Sequence, residues 1–468
     1  MDRKVEERAE VRFSAYVEGL GSELGHADRI GPLRDYCTGL ILPGERKSVE
    51  PMAAKTAPAR TAAQHQSLLH FVGVAAWSDE KVLAKVRQMV LPSMQRQGPI
   101  EAWIIDDTGF PKHGKHSVGV QVQYCGQLGK EANCQVAVSL SIANHSASLP
   151  VAYRLYLPKE WAKDKVRRKK AGVPKDIRFK TKPEIALDQI RWACEAGLPR
   201  GVALMDAAYG VDSRLRTGMT ALGVSYVVGI QPKLLMWPPG TEPKRKGRPL
   251  NNTGRRDEPD LIPAKRIARD LPNEAWQTIP WREGSAEWLS SRFARVRVRV
   301  GHTQLKPESI SEEWLLIEWP AGEAEPTKYW LSTLPADIDF RELVDFAKLR
   351  WRIERDYLEL KQEVGLGHFR RARLAPASII TPRCASQPMA SWSPRRRRFP
   401  PQHHVAPRRS GHLHYPRVID PEDPPLRPER HIPNSIATLR VRLIKALIKN
   451  MPRCPCCGSN ASTSRRQL

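Results

Sequence analysis

The stretch that decides the fold reads Leu349-Arg350-Trp351-Arg352-Ile353-Glu354-Arg355-Asp356-Tyr357-Leu358-Glu359-Leu360-Lys361. Its apolar residues recur at spacings of four, four and three, which predicts a helix with one buried stripe formed by Leu349, Ile353, Tyr357 and Leu360. Arg350, Glu354 and Lys361 share a second face of this helix, because they stand four and seven residues apart. An acid between two bases is usually a solvent-exposed salt-bridge face, so the spacing alone leaves that interpretation open beside a functional one.

Two stretches upstream favour the functional interpretation, because each runs an apolar segment of β type directly into an aspartate. They are Ile104-Ile105-Asp106-Asp107-Thr108 and Ala203-Leu204-Met205-Asp206. Strand-end carboxylates and a carboxylate on a later helix predict a three-ligand site for a divalent cation. Their hard oxygen atoms suit Mg²⁺ or Mn²⁺, which can activate an attacking water or 3′-hydroxyl and stabilise the leaving oxygen of a phosphodiester. Side chains alternate along a strand, so only one of Asp106 and Asp107 should face the metal.

The composition favours a polyanionic partner. The 468 residues carry a formal charge of +26, which indicates nucleic acid before any other partner. A membrane surface is the alternative, but no apolar run reaches the ~18 residues of a span, and the first residues show no secretory segment. The eight cysteines are sparse, which suits a reducing compartment. We therefore predict a cytoplasmic protein that binds nucleic acid and no membrane.

The order of predicted elements divides the chain. Residues 1–98 read as a helical N-terminal domain that we predict to bind DNA, with Ser78 as a helix N-cap and Pro92 as a helix end. Residues 99–230 show strands of antiparallel type, then a helix, a strand, a helix and a strand. One of the early strands is predicted from the alternating residues Val118, Val120 and Val122. This is the order of a ribonuclease-H-like α/β core, although so coarse a pattern fits other α/β folds.

A β-rich insertion is predicted over residues 231–325, and residues 326–369 complete the core with the helix that carries Glu354. The candidate ligands are separated by 206 − 106 = 100 and 354 − 206 = 148 residues. The second separation is long for one compact core, and an insertion between the second and third ligands accounts for it. The helix system that holds Glu354 is predicted to begin at Asp339.

A strongly basic segment, Lys159 to Lys182, lies between the two aspartate strands. A run of charge is often only a solvated face, and contact with a nucleic-acid backbone is the alternative. The predicted contacts are Arg167, Arg168, Lys169 and Lys170.

Residues 370–420 do not resemble the rest of the chain. Between 370 and 418 there are eleven arginines, eight prolines, and no lysine, aspartate or glutamate. A natural Arg/Pro-rich linker is one interpretation. Our preferred hypothesis is a stretch translated out of frame. Residues 421–468 return to ordinary sequence, with a helix from Ser435 to Ile448 and a tail whose Cys454, Cys456 and Cys457 are more easily explained as unpaired thiols than as a zinc site.

These motifs resemble bacterial insertion-sequence transposases of the DDE superfamily, in the branch marked by a Tyr–Arg–Glu–Lys signature. Arg350-Trp351-Arg352-Ile353-Glu354, with Lys361 seven residues after the acid, is similar to that signature. Trp103 to Lys112 resembles the first-aspartate block, and Asp206-Ala207-Ala208-Tyr209-Gly210 resembles the second. The resemblance covers about 10–369 and resumes at about 420–458.

We predict an α/β fold, and the resemblance implies that it is an RNase-H-like catalytic core interrupted by a β-rich insertion. The residue pattern adds a helical N-terminal domain and a partly disordered basic C-terminal tail. It implies Mg²⁺- or Mn²⁺-dependent cleavage of the element's terminal inverted repeats and their joining to target DNA by a homo-oligomer. The implied metal ligands are Asp106, chosen over Asp107 by the family block, with Asp206 and Glu354. The implied or predicted DNA contacts are Arg350, Lys361 and Lys112, together with the basic run at 167–170.

Two departures from the family pattern stand out. The tyrosine expected three residues before Arg350 is Ala347, with Phe346 beside it. The segment 370–418 replaces sequence that would continue the helices behind Glu354. The alternatives are therefore a decayed, frameshifted copy that only binds DNA, and a metal-dependent nuclease of the same fold that does not join ends.

Overall fold

The computed structural model describes residues 3–44, 46–241, 261–283, 288–301, 311–365, 436–449, 451–453 and 455. The chain falls into two compact units, one of Met1–Pro99 with Asp356–Leu468 and one of Ile100–Arg355. The irregular segment 370–418 and the cysteines at 454, 456 and 457 lie outside the described residues. None of the helices in the described ranges is long and apolar enough to cross a membrane.

The N-terminal residues form five α-helices. They are α1 (Arg3–Gly21), α2 (Ile30–Ile41), α3 (Val49–Thr56), α4 (Thr61–Gly73) and α5 (Asp79–Gln97). The predicted N-cap of α5 is confirmed, because the Ser78 side chain accepts a hydrogen bond from the Lys81 amide. The prediction that Pro92 ends this helix is wrong. Proline removes one backbone donor, but Val90 and Met94 on either side of it are buried, and this packing accompanies an unbroken helix to Gln97.

The first strands of the second unit build the part of the sheet that carries the two aspartates. They are β1 (Ala102–Pro111), β2 (Gln121–Cys125), β3 (Lys130–Ala143), β4 (Ser148–Leu155), β5 (Val202–Met205) and β6 (Tyr226–Ile230). Their order is β2-β3-β1-β5-β6, with β4 also beside β3. β3 pairs antiparallel with both β1 and β2, whereas β5 pairs parallel with both β1 and β6. This arrangement is consistent with an RNase-H-like core.

The prediction of a strand from the alternating valines at 118, 120 and 122 is wrong in its first half. Val118 and Val120 precede β2 and pack with Leu157, Trp161 and Val173 in a small apolar cluster. Alternation of two buried valines in a loop produced the same pattern as a half-buried strand.

Helices connect and flank these strands. They are α6 (Lys159–Lys163), α7 (Lys165–Ala171), α8 (Lys182–Glu195), α9 (Ala207–Gly210) and α10 (Ser213–Ala221). A capping box starts α8, in which the Thr181 hydroxyl accepts from the Glu184 amide and the Glu184 carboxylate accepts from the Thr181 amide. Gln189 of α8 donates to the Val138 carbonyl of β3, which fixes this helix on one face of the sheet.

The sheet continues through the region predicted as a β-rich insertion. Its elements are β7 (Leu235–Trp237), β8 (Ile262–Pro263), α11 (Ala264–Asp270), β9 (Gln277–Glu283), β10 (Trp288–Val300), β11 (Glu313–Trp319) and β12 (Lys328–Ser332). β12 pairs antiparallel with β6, and β11 and β10 follow outward, so the described strands form one twelve-stranded sheet. The domain boundaries predicted from the sequence remain predictions.

The stretch at 349–361 forms two helices rather than one. α12 (Phe340–Leu349) begins after Asp339, the predicted start of this helix system, and the Asp339 carboxylate caps it by accepting from the Arg341 and Glu342 amides. α13 (Trp351–Glu363) follows after Arg350, which ends α12. The predicted apolar stripe is confirmed, because Leu349, Ile353, Tyr357 and Leu360 are all buried.

A buried cation anchors α12 on the sheet. Lys348 donates to Glu318 of β11 at 2.5 Å, and both side chains are almost fully buried. Its ammonium also lies over the rings of Trp281, Phe293 and Trp330. The ion pair and the aromatic faces together compensate for removing this charge from water.

The last described helix, α14 (Ile436–Lys449), belongs to the first unit. Its Arg440 donates to the carbonyls of Ile41 and Leu42, at the end of α2, and pairs with Glu363 at 2.8 Å. Lys47 is also buried there and donates to the Leu42 carbonyl. Burial first, and then the neighbouring charges of Arg440 and Lys55, lower the pKa of Lys47 to about 6.

This low pKa predicts a pH-dependent stability of the first unit. Between pH 6 and about 10, the unfolded chain binds one more proton at Lys47 than the folded chain does, so the free energy of unfolding should rise with pH. Relative to Lys47→Met, the wild type should gain about 1–2 kcal/mol between pH 6.5 and 8.5 in urea unfolding. The exposed Lys81→Met is the control. If the free energy of unfolding changes with pH equally in both variants and in the wild type, Lys47 is not neutral in the folded unit.

Candidate active site

Asp106 lies on β1, the strand at which the antiparallel and parallel parts of the sheet meet. Its strand, β1, is flanked by β3, where Asp106 is opposite Ser139, and by β5. Its Oδ1 accepts from the Asp107 amide at 2.8 Å. Burial raises the pKa of the Asp106 carboxyl to about 7, a shift that Arg350 opposes and that the negative charge of Asp206 increases.

Asp206 follows β5 directly and caps the short helix α9. Its Oδ1 accepts from the amides of Ala208 at 2.9 Å and of Tyr209 at 3.4 Å. The turn that follows packs backbone to backbone on β6. A Cβ on Gly210 would stand 1.9 Å from the Gly229 carbonyl oxygen, and a Cβ on Gly229 would stand 2.9 Å from the Ala207 nitrogen. Two glycines therefore allow the Asp206–Gly210 turn to sit directly against the sheet.

Arg350 brings Glu354 to Asp106. Its Nη1 donates to Asp106 Oδ2 at 2.8 Å, and its Nη2 donates to Glu354 Oε1 at 2.6 Å. The second contact is the helix-face pair expected from the spacing of four residues. The first joins residues 244 positions apart. The Arg350 side chain is only 25% exposed, whereas the Glu354 side chain is 60% exposed.

Asp107 faces different partners from Asp106. Lys182, at the start of α8, forms an ion pair with Asp107 Oδ2 at 3.0 Å, and the Tyr209 hydroxyl donates to the same oxygen at 3.1 Å. Burial, followed by the nearby aspartates, raises the pKa of Tyr209, so its hydroxyl remains a donor. The sequence reasoning did not identify Lys182 or Tyr209 as members of the site. Tyr209 lies inside the second-aspartate block, Asp206–Gly210, and its place in that block could have indicated a role in the site.

Some of the predicted DNA contacts are buried or hydrogen-bonded within the protein, and others are exposed. Lys112 is buried, with 8% exposure. Arg168 donates to the carbonyls of Ala162, Pro174 and Ile177. Arg167 lies 3.7 Å from the Trp161 ring centroid and donates to the Lys115 carbonyl. The exposed cations are Lys169 and Lys170, and the half-buried Lys361 lies over the Tyr357 ring.

The donor set suits a divalent cation. The negative charge of Asp206 helps to raise the pKa of the Asp106 carboxyl, and carboxylate oxygens are the ligands that Mg²⁺ and Mn²⁺ prefer. Within the described ranges, no three His, Cys, Asp or Glu side chains stand together at metal-ligand spacing. The Arg350 guanidinium lies between Asp106 and Glu354, so a cation bound by all three carboxylates requires this arginine to move.

Comparison with known proteins identifies the family of the chain. The family model described as DDE superfamily endonuclease matches residues 19–287, which is more than half of the 468-residue chain. The chain therefore belongs to the DDE superfamily endonucleases, enzymes that generally use divalent metal ions. It is also similar to a probable transposase for insertion sequence element IS701 from Microchaete diplosiphon, with 24% identity over 310 residues, covering 65% of this chain and 68% of the relative.

The prediction of a DDE-type enzyme is confirmed by the family match. The matched range contains Asp106 and Asp206 and ends before Glu354. The assignment of Glu354 therefore rests on its sequence signature and on its contact with Arg350.

Proposed function

We propose that this chain is the transposase of a bacterial insertion sequence, in the branch with the Tyr–Arg–Glu–Lys signature, and that it cleaves the element's ends and joins them to target DNA. One observation carries the proposal: Arg350 contacts both Asp106 and Glu354, and Asp106 lies within electrostatic range of Asp206. Three motifs far apart in the sequence thus supply the carboxylates of this site. The relative described as a probable transposase supports the same activity.

In this proposal, Asp106, Asp206 and Glu354 hold Mg²⁺ or Mn²⁺. When bound, such ions activate a water or a 3′-hydroxyl and stabilise the leaving oxygen of the phosphodiester. The chain's own residues position these ligands. The α9 amides hold Asp206 Oδ1, and the Asp107 amide holds Asp106 Oδ1. Released from its two carboxylates, Arg350 has the planar fork that suits bidentate contact with a phosphate.

Asp107 has a different role. Lys182 forms an ion pair with its Oδ2 and Tyr209 donates a hydrogen bond to the same oxygen, so this carboxylate has its own partners within the protein. This arrangement supports Asp106 as the first metal ligand. Asp107 then orients Tyr209, whose backbone amide binds Asp206.

The DNA backbone is proposed to follow a surface formed by α7 and the loop 112–117. Arg167 joins them, because it lies on Trp161 and donates to the Lys115 carbonyl. Asn133 holds the same loop by donating to the carbonyls of Lys112 and Gly114. This bonding leaves side chains of the loop and of α7 exposed, namely His113, Lys115, His116, Lys169 and Lys170. Arg167 and Arg168 shape this surface, and the exposed cations contact phosphates.

The division between bonded arginines and exposed lysines predicts how the salt dependence of DNA binding should change. Replacing Lys169 and Lys170 together by alanine should reduce the slope of log affinity against log salt by about two, because two phosphate contacts are lost. The matched control replaces both by arginine, which preserves the charge and should preserve the slope. An unchanged slope in the double-alanine variant would remove α7 from the DNA surface.

Two further parts of the proposal concern assembly. Joining two ends to one target requires both ends in one complex, so we propose a homo-oligomer on DNA. Its substrate is double-stranded DNA in the bacterial cytoplasm, which includes the terminal inverted repeats and the target. An assay with end-containing and target duplexes tests the activity, because a nuclease of the same fold would cut the ends without forming joined products.

A further inference from the structure

A buried polar cluster lies behind the Asp206–Gly210 turn and has no part in the proposed chemistry. Arg216 of α10 is 5% exposed, and its Nη1 donates to the Gly210 carbonyl at 2.5 Å. Arg216 also hydrogen-bonds Tyr226, the 2% exposed first residue of β6. The Tyr226 hydroxyl in turn hydrogen-bonds Glu313, the first residue of β11.

We propose that this Glu313 relay, defined as Glu313, Tyr226, Arg216 and the Gly210 carbonyl, positions Asp206 for metal binding. The proposal rests on the function proposed above. Glu313 is a positioning residue, because it acts on Asp206 through Arg216 and does not touch the reacting atoms. The relay connects a strand of the predicted insertion to the second metal ligand.

Stability alone does not account for these residues. Glu313 Oε2 is buried and accepts no hydrogen bond from the described residues, a condition that is unfavourable for a carboxylate. Well-packed apolar side chains in place of a buried ion pair often leave a protein equally or more stable. A buried acid with one oxygen that accepts no hydrogen bond from the described residues is more readily explained by what its other hydrogen bond positions.

The geometry shows how the relay acts on Asp206. The Asp206–Gly210 turn is only four residues long after the aspartate, and the Gly210 amide donates back to the Asp206 carbonyl at 2.9 Å. Gly229 supports the turn against the sheet, and Arg216 holds its far end by the Gly210 carbonyl. Arg216 is held in turn by Tyr226 and by the charge of Glu313. Loss of that charge frees the arginine, and the turn that carries Asp206 loses one of its two supports.

The test measures Mn²⁺ binding by the intact protein without DNA, followed by electron paramagnetic resonance of the free ion. Glu313→Gln should weaken Mn²⁺ binding about tenfold, the size expected when a residue that orients a metal ligand is changed. Glu312→Gln is the matched control, because this neighbouring acid pairs with Arg299 at 3.2 Å and should leave Mn²⁺ affinity unchanged. DNA affinity without metal should stay within twofold in both variants.

Tyr226→Phe is the second variant, because it removes one hydroxyl and keeps the ring volume. It should lower Mn²⁺ affinity in the same direction, and combining it with Glu313→Gln should add little, since both changes interrupt one relay. If Glu313→Gln does not fold, the Mn²⁺ affinity of Tyr226→Phe decides alone. Affinity within twofold of wild type in a folded relay variant would overturn the proposal.

Failure of the proposed function gives a different result. If the wild type binds no Mn²⁺ at a site that Asp206→Asn removes, the metal assignment is wrong and the relay is overturned with it. If the wild type binds Mn²⁺ at that site and the relay variants bind it equally well, only the relay is overturned.

Discussion

Replacing Asp206 by asparagine should abolish DNA cleavage and leave DNA binding intact. Asparagine has the same shape and is as good an N-cap as aspartate, so the α9 amides keep their acceptor and the turn keeps its conformation. What is lost is one negative charge at the proposed metal site. Loss of a ligand that supports several kcal/mol of transition-state stabilisation lowers the rate by at least about 10³-fold.

The chain contains a matched control for this experiment. Asp212 caps α10 by accepting from the Leu215 amide at 2.9 Å, so Asp212→Asn makes the same chemical change at a similar cap outside the site. Cleavage of end-containing DNA with Mg²⁺ or Mn²⁺ should be near wild type in Asp212→Asn and absent in Asp206→Asn. Equal DNA affinity of both variants in a binding assay shows that the defect is chemical. Cleavage by Asp206→Asn at a wild-type rate would remove this residue from the site.

The second large effect is expected from Gly210→Ala. The added methyl group would stand 1.9 Å from the Gly229 carbonyl oxygen, and because that oxygen belongs to the backbone, no side-chain rotation relieves the contact. The turn must move away from β6 and carry Asp206 with it. We expect a loss of about 2–3 kcal/mol in the free energy of unfolding, as for an overpacked core. Cleavage should fall at least tenfold in the protein that remains folded.

Gly126→Ala provides the comparison, because nothing lies within 4 Å of a Cβ at that position. Urea unfolding and end cleavage should both be close to wild type in this control. A Gly210→Ala protein with wild-type stability and wild-type cleavage would show that the turn does not need its contact with Gly229.

The candidate carboxylates could be predicted from the sequence because local patterns carry them. Apolar β segments that run into Asp106 and Asp206, and a helical stripe beside Glu354, are visible without tertiary information. The Arg350–Glu354 contact follows from helix spacing in the same way. The Arg350–Asp106 contact does not, because it depends on how α12 and α13 meet β1 across 244 residues of sequence.

The partners of Asp107, and which cations of the basic run are exposed, could not be predicted for the same reason. Lys182 reads as the end of a charged run, and only the packing of α8 brings it to Asp107. Arg168 and Lys169 look alike in sequence, yet Arg168 donates to three carbonyls and Lys169 is exposed. Pro92 shows the opposite case. The proline predicted the end of α5 from local sequence, but the helix continues to Gln97, with buried residues on either side of the proline.

We propose that Asp106, Asp206 and Glu354 form a metal-dependent site that cuts the ends of an insertion sequence. The most direct measurement is cleavage of a duplex carrying the element's own terminal repeats, with Mg²⁺, with Mn²⁺ and with a chelator, by the wild type and by Glu354→Gln. We predict cleavage at the repeat boundary that requires the metal and disappears in the variant. DNA binding without any cleavage by the wild type, or metal-dependent cleavage that Glu354→Gln retains, would contradict this account.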